Sequence, residues 1–425
     1  MPNQDGLEWV EEMFGLEPRW TKEPDVNIIA SIAHAHLGCD EGALPNVSFY
    51  AQGAFNKLYK VSTADTTCLM RVSLPVDPRW KTESEIATME FVRGKTLLPV
   101  PKIIAFDSSN ENELGFEWIL MEMMPGVTLR KRWRKMSWDA KENIVKCLVE
   151  NHARLFEHRF HGIGNIFESG KQASATSFTL DRMVSLIFFW GDHLTHDVSR
   201  GPFRSSHDWL KARLQLVLID QQRILDSTCD EDEIEDAEAA LDLAKRLLEI
   251  LPTIFLPSAG GEPTMLFHDD QSMQNIMVDD DGRLTAVIDW ECVSAMPLWK
   301  GCQVPALLDQ RTREEKPDRE TYAAADSDEE EDAKDPDGLD NEGMNGLYWE
   351  HLLEYEMTQL RKLFLTEMQK SQPEWVATMR DSGLKADFEL AVRNCDNGFA
   401  FKILKRWIDA LALGDVRSLS AELNE

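Results

Sequence analysis

The stretch from Leu266 to Glu291, LFHDDQSMQNIMVDDDGRLTAVIDWE, carries the side chains most able to do chemistry. His268, Asp270 and Asn275 fit the spacing H-x-D-x-x-x-x-N, and Asp289 follows a second apolar segment. Ile276-Met277-Val278 and Leu284 to Ile288 read as two strands, and Asp280-Asp281-Gly282 between them is a turn signal. A hairpin centred near Gly282 places Asn275 and Asp289 opposite each other at its open end. Directly opposed Cα atoms in an antiparallel pair lie roughly 4.5–5.5 Å apart. Two oxygen ligands at that separation can grip one Mg²⁺, a hard cation that takes carboxylate and amide oxygens together with phosphates. Asp270 lies on the loop beside them as a proton acceptor. A base, two metal ligands and no covalent nucleophile suit phosphoryl transfer, where positioning and charge neutralisation dominate.

Taken together with Ile288-Asp289-Trp290, this pattern resembles the aminoglycoside phosphotransferase and choline kinase superfamily, which shares its two-lobed fold with protein kinases. Within that superfamily the chain is most similar to the fungal phosphotransferase-enzyme family, over about residues 47–310. The resemblance implies ATP and Mg²⁺ as cofactors and a hydroxyl on a small molecule as acceptor. It implies that Gln52-Gly53-Ala54-Phe55-Asn56 is the loop over the phosphates, with Gly53, Phe55 and Asn56 at the nucleotide. It also implies that the backbone of Glu122 and Met123, in Met121-Glu122-Met123-Met124-Pro125-Gly126, is a hinge that hydrogen-bonds the adenine. Arg71 sits where a kinase-like fold places its strand Lys, and its planar fork suits phosphate. His268 is expected to brace the catalytic loop through hydrogen bonds.

These residues need elements to hold them. Residues 47–50, 58–61 and 68–72 read as strands, and residues 103–106 and 116–122 as two more. From Thr82 to Arg93, Glu85, Met89 and Val92 share a helix face at i, i+4, i+7 spacing, which aims Glu85 inward to pair with Arg71. Ser137 is a candidate N-cap for a helix reaching about His158. Residues 159–180 read as loop. Asp208 to Leu225 and Asp236 to Leu251 read as amphipathic helices joined by a solvated acidic turn. Three more helical patterns follow around Trp349–Phe364, Ala386–Cys395 and Phe399–Leu413. The segment after Met183 lies where related enzymes build acceptor sites, which makes Asp192, Asp197, Arg200 and Asp208 substrate-side candidates, and Glu291 at the end of the catalytic stretch is taken as a further one.

Composition narrows the classes. The chain has 425 residues, 43% of them apolar, with 75 acidic against 45 basic residues and a net charge of −30. That balance argues against nucleic acid and anionic membrane as main partners, and it favours a cationic acceptor. The seven cysteines are scattered and never in C-x-x-C, which reads as a reduced compartment and no structural zinc. No secretory or mitochondrial presequence is visible, and the longest apolar run, near Leu186 to Trp190, is far too short to span a bilayer. A cytoplasmic location is expected. There is no G-x-x-x-x-G-K-[ST], G-x-G-x-x-G, H-E-x-x-H or G-x-S-x-G, and Gly94-Lys95-Thr96 lacks its upstream glycine.

The expectation is an α/β (α+β) chain with a two-lobed protein kinase-like fold. Residues 1–44 form an N-terminal extension, and 45–125 a small, mainly antiparallel β lobe with nucleotide loop and hinge. Residues 126–425 form a larger helical lobe. That lobe contains an acidic insertion at about 311–346, read as disordered, with Ser327 as a candidate phosphorylation site. Asp270 and His268 are the catalytic residues, and Asn275 and Asp289 the Mg²⁺ ligands. The alternative is a catalytically inactive kinase-like nucleotide-binding or scaffold protein, kept open by the glycine-poor loop and by Arg71.

Overall fold

The computed structural model describes residues 3–12, 15–38, 44–172, 175–257, 260–322 and 339–423. Alternating apolar residues build the small lobe. Strands β3 (Asn46–Gln52), β4 (Asn56–Ser62), β5 (Thr67–Ser73), β6 (Ile103–Asp107) and β7 (Glu117–Glu122) form one sheet in the order β3-β4-β5-β7-β6, every neighbour antiparallel. Ahead of it come a hairpin, β1 (Leu7–Glu12) and β2 (Gly15–Trp20), and helix α1 (Val26–Leu37). Asp25 caps α1 by accepting from the Asn27 amide at 2.8 Å. Ile29 and Ala33 of α1 pack on Val61, Met70 and Val72 of the sheet. Helix α2 (Trp80–Lys95) starts beside Glu117 of β7, whose carboxylate accepts from the Arg79 amide at 2.6 Å.

The hinge after β7 is held against the catalytic stretch. Gly126 has φ +99°, and a Cβ there would lie 2.2 Å from the Val278 carbonyl oxygen. Only glycine fits so close an approach. Strand β8 (Val127–Thr128) then pairs with the first of the two strands read from the catalytic stretch, and α3 (Leu129–Arg132) follows.

In the large lobe, α4 (Trp138–Glu157) begins at Ser137, whose hydroxyl accepts from Ala140 N at 3.2 Å. Residues expected as loop form strands: β9 (Phe160–His161) and the hairpin of β10 (Asn165–Gln172) with β11 (Ala175–Asp181). The buried Ile166 and Phe167 stabilise that hairpin from β10. After a short α5 (Leu186–Phe189), α6 (Ser206–Ser227) and α7 (Glu231–Ile254) pack along each other. The acidic turn expected between them is instead the start of α7. Asp230 caps it through Asp232 N and Glu233 N, and acidic side chains suit the positive end of a helix dipole.

The catalytic stretch lies between β12 (Pro263–Phe267) and the short hairpin β13 (Ile276–Val278) and β14 (Leu284–Val287). β15 (Ser294–Pro297) returns antiparallel to β12 and leads into α8 (Leu298–Gly301). Beyond it, α9 (Gly346–Ser371) packs on α4, and α10 (Pro373–Asp381), α11 (Gly383–Asn394), α12 (Phe401–Ala412) and α13 (Leu419–Leu423) complete the lobe. Helix α10 was not anticipated; its core anchors, Trp375 and Val376, are adjacent and give no visible periodicity.

The flanks of the expected insertion are packed on α9. Arg313 donates to Glu354 at 2.8 Å, Tyr322 bonds His351 at 2.7 Å, and Met344 is buried. The acidic run from 323 to 338, with Ser327, lies outside the described residues. Among the described residues no helix is long and apolar enough to cross a membrane. The architecture is the two-lobed one expected, with a small antiparallel sheet lobe and a larger helical lobe.

Candidate active site

A groove of about 2360 Å³ runs between the lobes, and the catalytic stretch forms its floor. The hairpin there is offset by one residue from the expected register. Ile276 faces Val287, and the Ile288 amide donates to the Asn275 carbonyl at 2.9 Å, so Asn275 lies opposite Ile288. The turn is centred on Asp281 rather than Gly282, and a bulge takes back one of the two positions this shift would cost. Met277 faces Ala286 while Val278 faces Leu284, which leaves Thr285 extra. Asp289 lies one step beyond the ladder with φ 64°, and Cys292 has φ 60°. Left-handed backbone at non-glycine residues costs about 1–3 kcal/mol and concentrates at functional sites.

Asn275 donates its amide to the Asp270 carboxylate at 2.8 Å and to the Asp270 carbonyl at 3.0 Å. With that NH₂ committed, its amide oxygen remains to offer a cation. Burial raises the Asp289 carboxyl above its ordinary value, against the pull of Arg71. The one ion-pair contact of Asp289 among the described residues, to Arg71, is 3.6 Å long. A part-exposed carboxylate with so loose a partner, beside an amide oxygen, is a donor set of the hard-oxygen kind that fits Mg²⁺.

Arg71, in the middle of β5, is 5% exposed and ion-pairs with Glu85 of α2, as the helix-face spacing predicted. The guanidinium stays charged at any ordinary pH, and burial pushes Glu85 up to about 7 against Arg71 and Lys81. Glu291 completes the cluster. One of its oxygens, Oε2, accepts from Arg71 at 2.5 Å, from Lys81 at 2.6 Å and from Asn56 at 2.9 Å. Burial alone would raise this carboxyl, but Lys81 and Arg71 outweigh it and hold it down at about 2. Glu291 is therefore not free for a substrate, as expected of it, but ties the catalytic stretch to the small lobe. Lys81, with its side chain 2% exposed, was not foreseen.

Other expected residues take different places. His268 is buried edge-on against Trp290, with ring centroids 4.9 Å apart. Burial lowers its pKa below the ordinary value, against the pull of Asp269 and Asp289, and neither ring nitrogen has a partner in full hydrogen-bond geometry. Its brace on the loop is packing rather than hydrogen bonding. Gly53 lines the groove, and its amide donates to the Asn56 carbonyl at 2.9 Å. Phe55 turns its ring onto Phe189 and Trp190, and the Asn56 side chain joins the Glu291 cluster. The Glu122 amide already donates to the Lys102 carbonyl at 2.9 Å. Met123 stands next along the groove wall. Leu58, Leu69 and Met121 above, and Met277 and Ile288 below, give this end apolar walls.

Of the substrate-side candidates, Asp192 lines the groove, paired with Arg223 at 2.6 Å. Asp197 is exposed and does not line it. Arg200 is a loop clamp, donating to the Val198, His196 and His193 carbonyls. Asp208 stands in the first turn of α6 and accepts from Ser205 at 3.0 Å. The groove wall there also holds His193, Asp220, Arg213 and Glu389, which no motif flagged.

Comparison with known proteins follows this geometry. A sequence model of the phosphotransferase enzyme family matches residues 46–300, more than half of the chain. A subtelomeric hrmA-associated cluster protein of Aspergillus fumigatus is 24% identical over 307 residues, covering 62% of this chain and 60% of the relative. The altered inheritance of mitochondria protein 9 of Meyerozyma guilliermondii is 28% identical over 131 residues, covering 29% of this chain and 22% of the relative. The chain thus spans about 60% of the length of the first of these fungal relatives. Among solved structures, the apo form of a thermostable mutant of aminoglycoside phosphotransferase APH(4)-Ia aligns at 15% identity and TM-score 0.43. That alignment covers 90% of this chain and 99% of the other. An ethanolamine kinase of Plasmodium vivax aligns at 15% identity and TM-score 0.38, covering 88% and 91%.

Proposed function

This chain belongs to the phosphotransferase enzyme family, and on that premise we propose that it transfers the γ-phosphoryl group of ATP to a hydroxyl of a small molecule. The observation that carries the reading is the 2.8 Å hydrogen bond from Asn275 to Asp270, which ties a proton acceptor to a cation ligand. Asp270 is exposed on the groove floor, and the bond to Asn275 engages its Oδ2. Its other oxygen receives the proton of the attacking hydroxyl. Asn275 and Asp289 hold Mg²⁺, which neutralises charge on the phosphates when bound. Arg71, kept in line by Glu85, faces the same phosphates from the small lobe. The apolar walls around Leu58, Leu69 and Met121 take the base. A polyhydroxyl or cationic acceptor fits a chain of net charge −30, and a cytoplasmic location fits its cysteine usage.

A second reading keeps one specific observation in its favour. Arg71 is already paired with both Glu85 and Glu291, as in a nucleotide-binding scaffold that does no chemistry. Two substitutions separate the readings. Asp270→Asn removes the base and spares the cation ligands. It retains Mg·ATP affinity by calorimetry and loses turnover by about 10²–10⁴-fold, the range for general-base removal. Asp289→Ala loses both turnover and Mg-dependent affinity. Turnover is read as ATP consumption across hydroxylated amines, sugars and choline-like compounds. Normal turnover in Asp270→Asn, or a wild type that binds Mg·ATP and phosphorylates nothing, hands the argument to the scaffold.

A further inference from the structure

We propose that His193, His196 and Asp220 form a second metal site, for a divalent transition ion of the zinc type, on the acceptor-side wall of the groove. The three donor atoms lie within 4.8 Å of one another. The two oxygens of Asp220 each face one imidazole, 2.9 Å from His193 Nε2 and 3.1 Å from His196 Nε2. Neighbouring ligands of a tetrahedral ion with bonds of about 2.0–2.1 Å stand roughly 3.3 Å apart, close to these spacings.

The proton count at His193 points to a cation. Its Nδ1 is 2.7 Å from the Ile187 carbonyl oxygen, which can only accept, so Nδ1 carries the proton. A neutral imidazole then turns a lone pair on Nε2 toward the Asp220 carboxylate. Two lone pairs at 2.9 Å repel unless a second proton or a metal ion stands between them. A ring whose far nitrogen donates to a backbone carbonyl is also the usual support of a metal-bound histidine. His196 Nδ1 has the Thr195 hydroxyl at 3.5 Å in place of a carbonyl, and Asp192, 3.8 Å from its Nε2, is in reach as a fourth ligand. Arg223 lies 3.3 Å from the same Nε2 and holds Asp192, and as a half-exposed side chain it swings aside on binding. Two imidazoles and one carboxylate prefer a borderline ion over Mg²⁺, so the two metal sites sort by chemistry.

Thiolate spacing gave no zinc site in this sequence, and it is blind to an imidazole–carboxylate one. An ion here joins the segment after α5 to α6, and its fourth position, where Asp192 does not take it, faces the groove that Asp192, His193 and Asp220 line. Metal binding stands apart from the phosphotransfer reading; a role in holding the acceptor rests on it.

The test is a titration of the full chain with Co²⁺ alone, followed by visible absorption. One equivalent should give d–d bands that Zn²⁺ abolishes and excess Mg²⁺ does not. His193→Gln and Asp220→Asn should weaken binding by more than the roughly 10–100-fold that loss of an outer-shell partner costs, while keeping the metal-free melting temperature; Asp289→Ala should leave the bands in place. Should those variants fail to fold, proton NMR of the wild-type Co²⁺ form decides, with an expected hyperfine-shifted N–H resonance from His193. Absent bands, bands that persist without His193, or no shifted imidazole N–H would reduce the cluster to a protonated histidine–aspartate network and overturn the proposal.

Discussion

At the scale of single residues, Glu291 concentrates the most interaction on one atom. Its Oε2 takes Arg71, Lys81 and Asn56 together. Reading along the chain found Asp270, Asn275, Asp289 and the Arg71–Glu85 pair, because local spacing places each of them. It counted Glu291 among the substrate-side residues. Its true partners lie in the small lobe, 220 positions away for Arg71, and no periodicity encodes that distance. Removing one member of a buried charge pair strands the other at a cost of roughly 3–5 kcal/mol, whereas replacing both is often near neutral. Glu291→Gln should therefore lower the urea midpoint strongly, and Lys81→Met in the same chain should restore a good part of it. Strictly additive losses in the double variant would mean that the two do not communicate.

At the scale of elements, strands and long helices were legible and their registers were not. The pattern over 276–288 gave the hairpin but not its bulge, where Thr285 donates to the Pro125 carbonyl at 2.7 Å, a contact across the hinge. The same closeness makes Gly126→Ala severe, since backbone stands where the methyl would go. It should lower soluble expression or the melting temperature sharply, while a neutral outcome would show that the hinge is free to move. A second tie joins α11 to α6 and α8, with Glu389 paired to Arg213 at 2.5 Å and to Lys300 at 3.1 Å. Burial opposes this carboxylate, but the two cations outweigh it and hold it at about 2, below its ordinary 4.5. The folded chain thus binds fewer protons here than the unfolded one. This contribution is present above pH 4.5 and fades as pH falls toward 2. At about 1.36 kcal/mol per pH unit it amounts to roughly 3 kcal/mol. Glu389→Gln should be less stable than wild type at pH 7 by about that much, and the gap should close in acid. A gap unchanged from pH 7 to pH 3 would rule the mechanism out.

At the scale of the whole molecule, the two lobes were legible from the order of short strands and long helices, and residues 1–44 as a cover packed on them, but the hairpin that makes this cover a strap was not. Residues 1–44 showed only mixed signals and two prolines. The β1–β2 hairpin takes its meaning from what it touches. Trp20 packs on Phe116 of the small lobe at 5.1 Å, and Trp9 packs on Trp190 of the large lobe at 4.9 Å. Between them, Phe55 of the loop over the groove meets Phe189 at 5.6 Å, in one cluster with Leu74, Val76, Phe167 and Val184. The strap therefore fixes the phosphate loop and the acceptor-side segment in one apolar joint, and Gln4, Trp9 and Leu16 line the groove itself. Cutting Trp9 to alanine removes a ring from that joint and leaves Arg71, Asn275 and Asp289 untouched. Mg·ATP affinity should hold, KM for the acceptor should rise, and hydrogen exchange should quicken in 186–196. Exchange needs no known acceptor, so it reads the strap even before one is found. Unchanged protection there would confine the hairpin to covering the small lobe, and the groove would then be shaped by the two lobes alone.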